Sequence, residues 1–348
     1  MKEFPEKADV VIIGSGITGL ALAQHLKEKR IVNIVADKGR YPGGRMAARE
    51  VGKSGLINTG PSFFITHQSV YCEKIEQVCR QSQISNKPIQ TLSERQKQGL
   101  SGYLDSFEIF EPNASFRTFS TALAEDLNPF QSYDLREITQ GLDGWKLRFQ
   151  KTSQEALIEL HADKVVLTMP PPQIAELLAR SSLNYLLPDD FDSRFSYERS
   201  LVGLFEVKKR EAVENGIALL PANHPMFRRL QQRSYLSSDN TIIYVESTDA
   251  FARQYWDEPR EWVLEQFRSK IEEIWPGIRI IVSDFHRWKY GRLKPESCGF
   301  TSPLKLSGQP LLILAGEGFG ITPEFPAGLI SAQHSAKLAS AILTSESK

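Results

Sequence analysis

Four sets of residues in this chain have types and spacing suited to chemistry. They are the glycines Gly14, Gly16 and Gly19, the acid Asp37, the run Gly43-Gly44-Arg45, and the pair Gly316-Glu317. The first set reads G-x-G-x-x-G. In such a motif the first glycine permits a tight turn. The second leaves room for a pyrophosphate, and the third lets a helix pack closely on a strand. Amides at the helix start, here around Ile17 and Thr18, have no partner within the helix and can face a phosphate. Asp37 follows Gly19 by 18 residues. A carboxylate there accepts hydrogen bonds from both hydroxyls of an adenosine ribose and repels a 2′-phosphate. Together these residues predict a dinucleotide site.

The run "YPGGRM" narrows the choice of dinucleotide. Its adjacent glycines begin six residues after Asp37. An NAD domain needs nothing at this place, whereas many FAD proteins carry a G-G-R loop there. Gly43 and Gly44 would let the chain pass close by, and Arg45 would neutralise the pyrophosphate. "LAGEGFG" supports FAD as well. A strand ending in glycine and an acid, then a helix, is the usual closure of an FAD domain. Glu317 would bond the ribityl chain or a pyrophosphate-bound water. A helix starting near Pro326 would direct its positive end at the flavin's O2 edge. No second G-x-G-x-x-G follows a strand, so a separate nicotinamide domain is not expected. There is no C-x-x-C, and no cysteine near the C-terminal motif, so the FAD is expected to be non-covalent.

The elements needed to position these residues are legible. "ADVVIIG" is a continuous apolar run, as in a strand covered on both faces. Leu20, Leu22, Ala23 and Leu26 follow at helical spacing, and "IVNIVADK" is a second strand, giving a βαβ unit. "SFRTFSTALAEDL" predicts a helix with Phe119, Leu123 and Leu127 on one face. "YDLREITQGLDGWKLRFQ" reads as a hairpin. "ADKVVLTMPPPQIAELL" is a strand turning into a helix through prolines, which are tolerated in a first helical turn. Residues 183–298 hold alternating strands and one amphipathic helix, "PREWVLEQFRSKIEEIW". The expected fold class is α/β: a Rossmann-like FAD-binding domain with an inserted α+β substrate domain on a mostly antiparallel sheet. The FAD-binding domain is expected over 1–82, 113–182 and 299–348, and the substrate domain over 83–112 and 183–298.

Composition excludes several classes. Of 348 residues 41% are hydrophobic and 24% charged, and 42 basic residues balance 42 acidic ones. That balance argues against a nucleic-acid or anionic-membrane partner. No apolar run is long enough to span a bilayer, and the first residues lack a signal peptide's apolar core. Cys72, Cys79 and Cys298 show no metal-ligand spacing and read as free thiols in a reducing cytosol. No metal is expected.

The chain resembles the renalase-like FAD oxidoreductases, a branch of the amine-oxidase and p-hydroxybenzoate-hydroxylase type of flavoprotein. The resemblance rests on "DVVIIGSGITGLALAQHL", "DKGRYPGGRMAAR", "INTGPSFFIT", "DGWKLRF", "VVLTMPPPQIAELL", "HRWKY" and "LLILAGEGFG", in order along most of the chain. It extends the expected cofactor contacts to Lys38, Met46, Thr59, Gly60, Pro61, Ser62, Met169, Pro170, Gly328 and Leu329. It also implies oxidation of isomeric dihydronicotinamide dinucleotides to NAD(P)+. A hydride would pass to flavin N5, with oxygen as acceptor and hydrogen peroxide as product. That chemistry needs a flat apolar slot holding the donor carbon roughly 3.5 Å from N5. Trp288 and Tyr290 are the first candidates for its walls, with Phe64 and Phe319 behind them. His286, Arg287 or Lys289 would position the carboxamide or phosphates, and Lys289 could also hold a water at N5. Strand alternation puts His286, Trp288 and Tyr290 on one face. The chain departs from the family at three places: Gly60-Pro61-Ser62-Phe63-Phe64 replaces Gly-Ala-Gln-Tyr-Phe, Gly316-Glu317 replaces Gly-Asp, and "FPAGLISAQ" replaces a glutamate-glycine-alanine helix start. The alternatives are a flavin amine oxidase or small desaturase with another substrate, and a non-catalytic flavoprotein redox sensor.

Overall fold

The computed structural model describes residues 3–61, 64–66, 70, 74–75, 77–78, 85–87, 108–111, 115–208, 224–233 and 240–346, with the side chains of 64–66, 85–87, 108–111 and 232–233 excepted. The described strands, in chain order, are β1 (Lys7–Ile13), β2 (Ile34–Asp37), β3 (Ala48–Glu50), β4 (Leu56–Asn58), β5 (Phe64–Thr66), β6 (Ser85–Lys87), β7 (Glu108–Glu111), β8 (Phe130–Gln131), β9 (Tyr133–Gln140), β10 (Trp145–Lys151), β11 (Leu157–Leu167), β12 (Tyr197–Lys208), β13 (Phe227–Arg233), β14 (Asn240–Ser247), β15 (Ile280–Leu293), β16 (Leu304–Gly308) and β17 (Leu311–Leu314). The principal helices are α1 (Ile17–Glu28), α2 (Phe116–Ala124), α3 (Pro171–Arg180), α4 (Asp249–Gln254), α5 (Arg260–Ile274) and α6 (Leu329–Ser345). They form two compact units: Met1–Ala47, Pro61–Ser196 and Leu293–Lys348, and Ala48–Gly60 with Tyr197–Arg292.

The first unit is built on an eight-stranded sheet with the path β16-β17-β11-β1-β2-β8. From β17 to β8 every pair is parallel. Such strands are covered on both faces, and Val10 to Ile13 and Leu311 to Leu314 are all buried, as their unbroken apolar runs require. The hairpin β9–β10 forms as expected, with the Gly141 amide donating to the Gly144 carbonyl at 2.8 Å. Its strand β10 lies antiparallel on Leu157–Ala162 of β11, and β17 takes Lys164–Leu167. Helices α1 and α6 share one core, in which Leu20, Ala23, Ala332, Ala336 and Ala339 meet Val10, Ile12 and Ile313. Pro171 opens α3, so the proline corner works as read.

Parallel pairing is what positions the chemistry. Ile13 stands level with Leu167 and Ala36, and Leu167 with Leu314. The residues that follow, Gly14, Asp37, Thr168 and Ala315-Gly316-Glu317, therefore emerge along one carboxyl edge. That edge is where open α/β sheets bind ligands.

In the second unit the sheet order is β13-β14-β12-β15. The pairs β12–β14 and β13–β14 are antiparallel. Alternation splits β12 between two cores. Leu201, Phe205 and Val207 pack against Val263, Phe267 and Ile271 of α5. Val202 and Leu204, with Ile242, Tyr244 and Trp288, pack against Val51 and Ile57 of the β3–β4 hairpin. That packing places Ala48–Gly60 in the second unit, although the sequence suggested the FAD-binding domain. The reverse holds elsewhere. Within 83–112, β7 pairs with both β5 and β6 in the first unit. Residues 183–196 also join that unit, where Phe191 and Phe195 pack on Phe300 and Phe319. No helix among the described residues is long and apolar enough to cross a membrane.

Candidate functional site

The glycine motif in the first unit separates into three physical roles. Gly14 has φ +113°, and a Cβ there would lie 2.4 Å from Thr168 Oγ1. At Gly19 a Cβ would lie 1.9 Å from the Gly14 carbonyl oxygen, so this glycine lets α1 pack on the turn. At Gly16 a Cβ would meet nothing within 4 Å. Gly16 is also the N-cap of α1, with no side-chain cap and no acid in the first turn. The free amides at the start of this helix therefore face open space, which suits an anion.

Asp37 closes this turn from the neighbouring strand. Its Oδ2 accepts from the Ser15 amide and its Oδ1 from the Gly39 amide, both at 2.5 Å. Gln131, level with Asp37 on β8, donates to Ser15 Oγ at 3.0 Å. The G-G-R loop lies against the same turn. The Gly43 amide donates to the Ser15 carbonyl at 2.8 Å. A Cβ on Gly44 would lie 3.3 Å from Gly16 Cα, and one on Gly43 would lie 2.6 Å from Ser120 Oγ. The adjacent glycines thus let this loop dock on the phosphate turn itself. Met46 turns into the core, and exposed Lys38 reaches Gln173 at 3.4 Å.

Arg45 meets Glu317, with Nη1 to Oε2 at 2.5 Å. The pair joins the loop after β2 to the turn after β17. Glu317 is buried at 7% exposure. Its turn is held from α6, where Ser335 Oγ accepts from the Gly316 amide at 3.0 Å and Ser331 Oγ donates to the Glu317 carbonyl at 2.9 Å. The final helix starts at Leu329, three residues later than Pro326, with Gly328 as N-cap and open space around its Cβ position. Pro170 is the N-cap of α3, and Met169 beside it is half-buried. Pro61 is half-buried, and Ser62 lies outside the described residues.

Ser15, Ser120, Gln131, Thr168, Ser331 and Ser335 were not identified from sequence. Ser331 and Ser335 carried a usable signal, since small hydroxyls four apart in an alanine-rich helix mark one face.

The second unit holds the other candidates. Trp288 donates from Nε1 to the Thr59 carbonyl at 2.9 Å. Thr59 therefore stands with the β15 residues. His286 and Trp288 lie edge to face, ring centroids 4.3 Å apart. The expected row of three aromatics does not continue regularly. A Cβ on Gly291 would lie 3.3 Å from that of Trp288, so the two-residue alternation slips between them. Tyr290 sits edge-on to Tyr197 at 5.6 Å. Lys289 is exposed, its ammonium 5.2 Å from the Tyr290 ring centroid. Arg287 donates to the Trp256 carbonyl at 3.1 Å. In the first unit Phe319 is fully buried and stacked on Phe300, so it serves the core. Phe64 begins β5, and its side chain lies outside the described residues, as do Cys72 and Cys79. Cys298 is a free, exposed thiol.

Arg49 donates from Nε to Asp284 at 2.5 Å and faces His286 Nδ1 at 3.5 Å. A guanidinium accepts nothing, so Nδ1 is the unprotonated nitrogen and Nε2 carries the hydrogen. Burial, then the Arg49 charge, pushes the His286 pKa down to about 4, with Asp284 opposing. The unfolded chain takes up this proton near 6.5. Stability therefore falls as pH drops from 6.5 towards 4, by about 1.4 kcal/mol per unit, and levels off below that. Between pH 7 and pH 5 the wild type should lose about 2 kcal/mol more than His286→Gln in urea unfolding. Equal losses would remove His286 as the source.

Residues 12–81 match the NAD(P)-binding Rossmann-like domain family. No curated protein matches the chain in sequence. Solved structures do match in fold. A protein of Exiguobacterium sp. 255-15 assigned as a protoporphyrinogen oxidase has a TM-score of 0.70 and 14% identity, over 99% of this chain and 100% of that one. Cyclohexylamine oxidase of Brevibacterium oxydans IH-35A has a TM-score of 0.69 and 11% identity, over 99% and 100%. A putrescine oxidase redesigned in cofactor binding has a TM-score of 0.62 and 12% identity, over 97% and 99%. At these identities what is shared is the fold: a Rossmann-like α/β chain that covers each of these oxidases almost end to end.

Proposed function

We propose that the chain is an FAD-dependent oxidoreductase that takes a hydride from a small organic donor. Isomeric dihydronicotinamide dinucleotides are its substrate class and oxygen its acceptor. The observation that carries the reading is the carboxyl edge of the parallel sheet. The uncapped start of α1, the open space at Gly16, the carboxylate of Asp37 and the Arg45–Glu317 pair all lie along it. These residues fit a dinucleotide. Gly16 and the first amides of α1 would hold its pyrophosphate, Asp37 its ribose hydroxyls, and Arg45 its remaining negative charge. Bound FAD would supply the hydride-accepting ring nitrogen and pass electrons on to oxygen. The task of the chain is to bind, orient and keep water away. A dihydronicotinamide donor leaves as an aromatic pyridinium, so no strong base is needed. His286, with its lowered pKa, is neutral at pH 7 and adds no charge beside Trp288. The fold shared with cyclohexylamine and putrescine oxidases supports a second reading, in which the donor is an amine.

The test is spectroscopic. The purified protein should be yellow, with a flavin band that denaturation releases. Isomeric dihydronicotinamides added without oxygen should bleach it. A colourless protein that takes up no FAD would overturn the cofactor and the enzyme class together. Bleaching by amines alone would overturn only the dihydronicotinamide donor.

A further inference from the structure

Three arginines meet two carboxylates on the face of the second unit's sheet that lies opposite α5. Arg228 bonds Glu198. Arg292 contacts Glu198 at 3.3 Å and Glu246 at 3.1 Å. Arg229, cross-strand from Glu246, comes no nearer to it than 3.7 Å. That is beyond hydrogen-bonding reach. The Arg229 side chain makes no hydrogen bond to any described residue, its one partner being Glu246 at 3.7 Å. A guanidinium carries five N–H donors in a planar fork. Here none of the five reaches a described acceptor at hydrogen-bonding distance, and only the longer Glu246 ion pair engages the group.

Arg229 is not an ordinary surface arginine. Burial is the largest influence on its charge, opposed by Glu246 and Tyr244, which hold its pKa above the ordinary value. Yet 32% of its side-chain surface stays accessible. A dissolved ion can therefore reach its guanidinium. Arg292 beside it has its pKa lowered, by burial first, with Arg228 and Arg229 adding to the effect and Glu246 and Glu198 resisting it. Among the described residues the cluster sets three guanidinium groups against two carboxylates. An anion would relieve both the unclaimed donors and the mutual repulsion.

We infer that Arg229, supported by Arg292 and Arg228, is a binding site for an oxyanion group, a carboxylate or phosphate. The anion site goes beyond the oxidoreductase reading and rests only on the arginine geometry. A planar fork suits two-oxygen anions.

The experiment titrates the full-length protein with inorganic pyrophosphate and, separately, with succinate. Heat of binding and thermal midpoint are followed in the wild type, Arg229→Met and Arg229→Lys. Methionine keeps the apolar stem, and lysine keeps the charge without the fork. The α1 amides are common to all three proteins, so the difference between them reports Arg229. At least one probe should bind about tenfold or more weaker to Arg229→Met, with Arg229→Lys in between. Pyrophosphate alone would identify a phosphate site, and succinate alone a carboxylate site. Equal binding of both probes to wild type and Arg229→Met would overturn the inference, as would binding to neither. Should Arg229→Met not fold, wild type against Arg229→Lys decides in the same way. FAD uptake is read separately from the visible flavin band. Its failure would overturn the oxidoreductase reading and leave the anion site standing.

Discussion

Gly16→Ala will leave the fold standing and weaken dinucleotide binding, whereas Gly19→Ala will unfold the first unit. The two substitutions add the same methyl group three residues apart in the same motif. Gly16 has φ −72°, which alanine adopts without strain, and its Cβ would meet nothing within 4 Å. Alanine is a poorer N-cap, at a cost below about 1 kcal/mol. At Gly19 the new methyl would lie 1.9 Å from the Gly14 carbonyl oxygen and 3.1 Å from its carbon. Both are backbone atoms of a turn held by Thr168 and β1, so they have nowhere to go. Overpacking of this kind costs about 1–3 kcal/mol even where side chains can adjust, and more where backbone must move. A domain has only about 5–15 kcal/mol in hand. For Gly16 the same clash falls on the ligand. FAD affinity should drop by roughly 10- to 100-fold, the equivalent of about 1–3 kcal/mol. Thermal midpoints and FAD retained after desalting check both halves. A Gly16→Ala protein with undiminished FAD would move the pyrophosphate elsewhere.

Arg45→Ala will cost about 3 kcal/mol of stability, and Arg45→Ala with Glu317→Gln will recover much of it. Removing one member of a buried pair leaves a charge with neither water nor a partner, a penalty of about 3–5 kcal/mol. The lower figure applies because Arg45 keeps 30% of its side-chain surface exposed, while Glu317 keeps only 6%. Glutamine has nearly the same shape and no charge to strand, so the double variant escapes most of the loss. Urea unfolding of the wild type, both single variants and the double variant gives the coupling directly. Additive losses would show that the two side chains act independently. Both Arg45 variants should also hold FAD less tightly, since alanine brings no positive charge to the pyrophosphate.

Much of the first unit could be read without a structure, for local reasons. Val10 to Ile13 are apolar without a break because both faces of β1 are covered. Gly14 and Gly19 are glycines because a turn and a helix–turn contact leave no room for a side chain, whereas the space at Gly16 is open. Pro171 stands where a first helical turn has no use for its amide. The second unit was legible in its strands and in α5, but not in its boundaries. Val51 and Ile57 look like any hairpin residues until they are seen packed on Val202, Leu204 and Tyr244. The candidate aromatic row on β15 assumed strict alternation, and the slip between Trp288 and Gly291 gave no sign in composition.

The sequence by itself determined the elements, the glycine turn and the class of ligand it suits, because those follow from sterics and periodicity within a few residues. Tertiary structure decided who meets whom. Arg45 and Glu317 are 272 residues apart and touch only because parallel register brings β1, β2, β11 and β17 to one edge. Gly43 and Gly44 clear a path for the neighbouring glycine turn, a role visible only once both loops are in place. Arg229 reads as one more charged residue until the fold sets it beside Arg228 and Arg292, with Glu246 as its ion-pair partner at 3.7 Å. A repeat of two or 3.6 residues says which side of an element is apolar. It carries no information about which distant element will cover that side, or which charge will be left without a partner.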